Sequence, residues 1–388
     1  MDTSKLFGLI APQNPTLKGI AHQSDKYKLE YMAATLPKLN MLNIGEVAET
    51  VQKNCHISDA RYAGNYSMCI FLLKMREYYR WENDLPLTVA LSKDDVGPWL
   101  QEREETWNHY EELPYQPIAL PIGETDPFDN ETINQELNPL GYVYSSGYGV
   151  FNKPHFFLAK LKQKREQDGL TILISDCEYA RDLVAPPAML LGNTIYIRHE
   201  SLRRMIWEKV ENWQWKKDFD APLARALACY AGHDSLDSIL DKLCENETQN
   251  VILHELGEAQ AGKLLGTAWE EMLFELSRSK TELQIRAVRD HLADCLTTLP
   301  QLIHNKHHAS LHFYFANFTG MRKEIFPQAM RAYQDWASYN TDAAFKILTE
   351  QGARHWLRIA KQILQLHQNK DPDFTNKVDS LLLTPLSM

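Results

Sequence analysis

Several familiar signatures are missing from this 388-residue chain, and each absence excludes a class of function. No two of its six cysteines stand as CxxC, which excludes a zinc ribbon or finger by ligand spacing. Scattered at Cys55, Cys69, Cys177, Cys229, Cys244 and Cys295, they form no disulfide framework and read as reduced thiols. Basic residues are not in excess. The net charge of −10 argues against a general nucleic-acid binder, which needs cations to neutralise phosphates, and against a surface held on anionic lipid. No apolar run approaches the roughly eighteen residues of a membrane helix; "CIFLLKM" is broken by Lys74. The first residues hold no basic stretch followed by a long apolar run, so a soluble, cytoplasmic protein is expected. Neither a phosphate-cradling glycine loop nor a GxSxG nucleophile elbow occurs; "SSGYG" lacks the glycine spacing and the following helix. There is no internal repeat.

What remains is an ordinary globular balance, 44% hydrophobic and 24% charged, enough to build a buried core. Residues 24–112 read as helical, with a cap candidate at Ser24 and apolar residues at helical spacing in "NYSMCIFLLKMREYYRWEND". A further short helix is expected after Gly97-Pro98. From Pro114 to Pro139 five prolines and few apolar runs indicate an extended loop or linker. Strand-like segments follow: "GYVYSSGYGVF", "HFFLAKLKQKR", "GLTILISD" and "NTIYIRHE", with Asp168-Gly169 marking a tight hairpin and "LVAPPAMLLGN" interrupting the set. Helical periodicity then returns from 200 to about 370, in segments including 220–246, 250–278, 280–300 and 303–317. The expectation is a mainly α, α+β protein: a bundle-like helical domain with a small antiparallel meander near the middle. Its parts would be an N-terminal helical region (1–137), a β subdomain (138–200) and a C-terminal helical domain (201–388).

The chemistry concentrates in that last part. In "HELGEAQAG" His254 and Glu258 stand four residues apart on one helix face, a spacing that lets both bind one divalent ion. Glu255 beside them is a candidate general base for metal-bound water. Gly257 and Gly262 cost helix stability and point to close helix approach or ligand access. On the next helix, "AVRDHLADCLTTLP" pairs His291 with Asp294, and Arg289 is a competing ion-pair partner. In "LIHNKHHASLHFYFANF" His304, His308 and His312 recur every four residues, so they would share one helix face. Six of fourteen histidines fall within 254–312, against about two for an even spread. Glu77, in "KMREYYRWEND", is a weaker candidate ligand, with an ion pair to Arg80 as the plain alternative.

"HELGE" resembles the HExxH motif of zinc metallopeptidases in its first histidine and its glutamate base, but carries Glu258 where the second histidine belongs. A carboxylate there changes the charge and softness of the site and shifts expectation away from a peptidase. More widely, "CHISDARYAGNYSMC", "KMREYYRWEND" and "HELGEAQAG" resemble a family of uncharacterised bacterial proteins, which implies no particular activity. Two functions are carried forward. One is a metal-dependent enzyme acting on a small-molecule or peptide substrate, with a site between residues 250–273 and 280–300. Its ligands would be His254, Glu258, His291 and Asp294, with Glu77, His304 and His308 as weaker additions. It would be either a di-metal (iron or manganese) oxidoreductase or a single-zinc hydrolase. The other is a non-catalytic helical interaction protein whose histidine–carboxylate pairs are structural.

Overall fold

The computed structural model describes residues 42–216, 218, 221–232, 235–384 and 386; apart from Leu42, the helix expected over 24–42 lies outside them. Helix α1 (Ile44–Tyr62) starts where the Asn43 side chain accepts the Gly45 N–H at 3.1 Å. Helices α2 (Met68–Glu82) and α3 (Lys93–Tyr110) are capped by Ser67 and Ser92. Helix α3 therefore begins before Gly97-Pro98 and carries Pro98 inside it.

The stretch expected as a linker is built. It holds a small hairpin, β1 (Ile118–Leu120) with β2 (Gly123–Thr125), and helix α4 (Asn130–Leu137) capped by Asp129. Its prolines fall at the ends of these short elements, and Ile118, Ile133 and Leu137 are buried against Val47, Val51 and Cys55 of α1. Few apolar residues are needed when each is fully used.

Five strands follow: β3 (Tyr142–Tyr148), β4 (Pro154–Gln167), β5 (Leu170–Arg181), β6 (Ala188–Leu191) and β7 (Thr194–Arg198). The β4–β5 hairpin turns on Asp168 and Gly169, both at positive φ, the left-handed backbone that a two-residue turn requires. The sheet is not the meander expected. Its order is β3-β4-β5-β7-β6, with β7 parallel to β5 and antiparallel to β6. Pro186-Pro187 cannot form a return hairpin directly on β5. The chain therefore runs on to the outer edge as β6, and a turn at Gly192 (φ +54°) brings β7 back into the gap. Helix α1 lies across β4 and β5, so the sheet and the helices before it share one core.

The C-terminal half is helical: α5 (His199–Lys216), α6 (Pro222–Ala228), α7 (Leu236–Leu265), α8 (Thr267–Glu275) and α9 (Lys280–Ala293), then α10 (Leu299–His304), α11 (His308–Asn317), α12 (Gly320–Ile325), α13 (Pro327–Tyr339), α14 (Ala343–Gln368) and α15 (Phe374–Leu382). Its core gathers Trp269, Leu292, Phe315, Phe326, Trp336 and Trp356. Helix α7 runs through the break expected near 246–250. The two asparagines that read as punctuation have side-chain partners, Asn246 on the Tyr230 hydroxyl ahead of the helix and Asn250 on Glu247 within it. Ile252, Leu256 and Ala259 of α7 pack on Ile172, Ile174, Ile195 and Ile197, joining the helical half to the sheet. Among the described residues no helix is long and apolar enough to cross a membrane.

Candidate metal centre

Helices α7 and α9 come together because of Gly257. A methyl group at this position would stand 2.4 Å from Thr297 Oγ1 and 2.5 Å from the Ala293 carbonyl oxygen, so no other residue permits this approach. Thr297 closes the contact by donating to the Leu253 carbonyl at 2.7 Å. At the same level the helix widens into a π turn over Asp294–Thr298. Pro300 explains the widening, because a proline N cannot bond back to the helix and its ring crowds the carbonyl of Leu296. Gly262, by contrast, has open space beside it and borders a cleft.

This approach brings His254 and Glu258 of α7 against Asp290 of α9: one ligand atom from each lies within 4.8 Å of the others. His254 Nε2 faces Glu258 Oε1 at 3.5 Å, while Nδ1 is 2.8 Å from Asp294 Oδ1. Asp294 thus stands behind the imidazole. It is held there by the Tyr314 hydroxyl, which donates to Oδ2 at 2.7 Å, and by Arg322. Glu258 Oε2 meets Arg289 at 2.8 Å, and Arg289 continues to Glu270 at 3.2 Å.

The charges follow from these contacts. Burial opposes ionisation of Glu258, yet Arg289 and then His254 pull its carboxyl down to about 2. Against the same penalty, Arg322 and His254 hold Asp294 well below the usual carboxylate range. His254 rises well above an ordinary imidazole, the attraction of Asp294 and Glu258 outweighing its desolvation. Burial and the neighbouring Glu258 push Glu255 up to about 8, and burial also raises Asp290. Two charged carboxylates, a Glu255 carboxyl that retains its proton near neutrality and an Asp290 carboxyl shifted upward therefore surround one imidazole.

The other expected ligands lie elsewhere. His291 is fully buried among aromatic rings, 4.9 Å from the Trp356 ring centre, with Nε2 3.0 Å from the Arg322 carbonyl oxygen; burial and then Arg322 lower it to about 3. It directly follows Asp290, and that one-residue step turns it about 100° round the helix onto the core side. His304 ends α10 and His308 starts α11, with Lys306 in the left-handed region between them (φ 55°), so the expected common helix face is broken and both are exposed. Glu77 is buried with Arg80 and Arg76. Sequence reading placed Asp290 on the right helix without a role, although its i, i+4 relation to Asp294 was visible. Tyr314 and Arg322 carry no local signal, because only the packing of α11 and α12 brings them in.

Glu255, Glu258 and Arg289 open onto a cleft of about 850 Å³ between the two halves of the molecule. Its opposite wall carries Lys153 and His155, part of a buried cluster. There Lys153 Nζ sits between Asp59 (2.9 Å) and Asp182 (3.1 Å), Asp182 also meets His155 Nδ1, and Arg198 grips Glu178 through two bonds of 3.0 and 2.8 Å.

The two halves correspond to two family models. Residues 46–198 match the N-terminal domain, and residues 203–384 the C-terminal domain, of a family of unknown function, DUF6866. The chain belongs to this family. No curated protein and no solved structure matches it. The models meet at the start of α5, so the α7–α9 cluster falls wholly within the C-terminal family domain, and the cleft takes one wall from each.

Proposed function

We propose that this family member is a metal-dependent enzyme, with a divalent ion held by His254 Nε2 and by carboxylate oxygens of Glu258 and Asp290. The observation that carries this reading is the convergence of those three ligand atoms in front of an imidazole whose other nitrogen is bonded to Asp294. A carboxylate behind a metal-binding histidine fixes its tautomer and ring orientation. One nitrogen and two carboxylate oxygens, without sulfur, suit manganese, iron or zinc. Such an ion would supply Lewis acidity toward water or a bound substrate. Glu255 retains its proton near neutrality and lines the cleft, so it is placed to exchange a proton there.

Metal analysis of untagged protein tests this: near one equivalent of metal is expected, and loss of it in His254→Ala. Metal well below one equivalent, together with unchanged melting on adding Zn²⁺, Mn²⁺ or Fe²⁺, would sink the proposal. A specific observation favours a second reading. Arg289 and Arg322 already compensate Glu258 and Asp294, so the cluster could serve only to clamp α7 to α9. In that case no metal is taken up, and His254→Ala lowers stability alone.

A further inference from the structure

A second cavity, of about 340 Å³, borders His254, Glu255 and Asp294 but not Glu258 or Asp290. Most of its wall is hydrocarbon, from residues such as Leu202, Met205, Val251 and Phe313. Polar side chains also border it, among them His254, Glu255, Asp294, Tyr314, Asn317 and Arg322, and three more carry open acceptors. Glu247, Asn250 and Thr298 line the cavity, each more than nine-tenths buried. Among the described residues, Glu247 Oε1, Asn250 Oδ1 and Thr298 Oγ1 have no hydrogen-bond partner of good geometry, although the Ser310 hydroxyl lies close enough to Glu247 to favour its charged form. The Asn250 amide nitrogen is committed to Glu247 Oε2 at 2.9 Å, which leaves its oxygen as an acceptor. No lysine, arginine or histidine is ion-paired to Glu247 among the described residues, whereas Glu258 and Asp294 nearby each have such a partner. Buried acceptors left open are costly, and three of them on the wall of one cavity are within reach of a ligand's donors.

We propose that this cavity binds a primary ammonium group, with Glu247 as its counter-charge and Asn250 and Thr298 as further acceptors. A primary ammonium offers three N–H donors, equal in number to the open acceptors that line the cavity. The apolar walls then take an aliphatic chain. Glu247 and His254 are seven residues apart on α7, roughly 10 Å along the axis. An amine seated at Glu247 therefore extends its chain to His254 and Glu255. Arg322 and the protonated His254, the nearby cations, lie at that far end, where both are bonded to Asp294. The inference deepens the enzyme reading, on which it rests for calling the ligand a substrate; binding itself does not require the metal.

The test uses n-hexylammonium and 1-hexanol as probes, titrated calorimetrically into the full chain with and without metal. Expected are saturation by hexylammonium near one equivalent in both states and a preference over the alcohol of at least about tenfold, as a charge-assisted contact gives. Glu247→Gln and Thr298→Val should each reduce that preference, while Glu258→Gln should lose metal yet keep it. Equal binding of amine and alcohol in the unaltered protein overturns the proposal without reliance on any variant, and so does a preference that survives Glu247→Gln in a folded chain. Amine binding without metal uptake supports the ammonium site and overturns the enzyme reading; metal uptake without amine preference does the reverse.

Discussion

At the residue scale, Asp294, expected as a ligand, stands behind His254, and Asp290, to which spacing gave no role, stands with His254 and Glu258. Asp294 accepts from the back of His254, so Asp294→Asn is expected to weaken metal binding by about 10–100-fold, the usual loss for a residue supporting a ligand. Asp290→Asn would remove one of the proposed ligands, and equilibrium dialysis should show the larger loss. His254 is raised well above an ordinary imidazole and so holds a proton in the absence of metal; metal uptake should therefore release a proton and weaken as pH falls. Calorimetry in buffers of different ionisation enthalpy would show this; an uptake independent of buffer would contradict the assigned ligands. Glu247 makes a separate prediction. Burial raises it from 4.5 to about 7, so between those values the folded chain keeps a proton that the unfolded chain has released. Its contribution to stability therefore falls as pH rises through this window, by about 1.4 kcal/mol per pH unit. Urea unfolding of Glu247→Gln should lack that slope. Glu77 serves as a contrast: because it is enclosed by Arg80 and Arg76, Glu77→Gln should destabilise by about 3 kcal/mol and leave metal content unchanged.

At the scale of elements, the site depends on how near α7 stands to the π turn. Gly257→Ala gains about 1 kcal/mol of helix propensity, but overpacking of Thr297 and Ala293 costs about 1–3 kcal/mol and pushes the helices apart. A lower Tm and weaker metal binding are expected together. Gly262→Ala, on the same helix with open space around it, should raise Tm and leave the metal site intact. If both variants behave alike, the close approach is not what shapes the centre. Helix periodicity found α7, α9 and α14 because their apolar stripes are long. It split α7 near Asn246 and Asn250, since a sequence does not show that the amides have partners within the fold. The linker was misread for the converse reason: its elements are too short to show a period.

At the scale of the whole molecule, the sheet and the helical half are joined through α7, which buries Ile252, Leu256 and Ala259 on β-strand isoleucines. Residues 203–384 expressed alone would expose this apolar face and should bind a hydrophobic dye or aggregate, whereas the full chain should unfold cooperatively. A fragment that is soluble and dye-silent would mean the halves are only loosely tied. The sequence by itself determined the composition class, the α+β character, the Asp168-Gly169 hairpin and the helix that carries His254 and Glu258, because all of these are encoded in neighbours a few residues apart. The tertiary structure alone decided that β7 enters beside β5, that His291 faces the core while Asp290 faces His254, and that Tyr314 and Arg322 hold Asp294. Those outcomes depend on contacts between residues 20 to 40 or more positions apart, and helix rotation, set by packing at Gly257 and the π turn, selects which side chains meet.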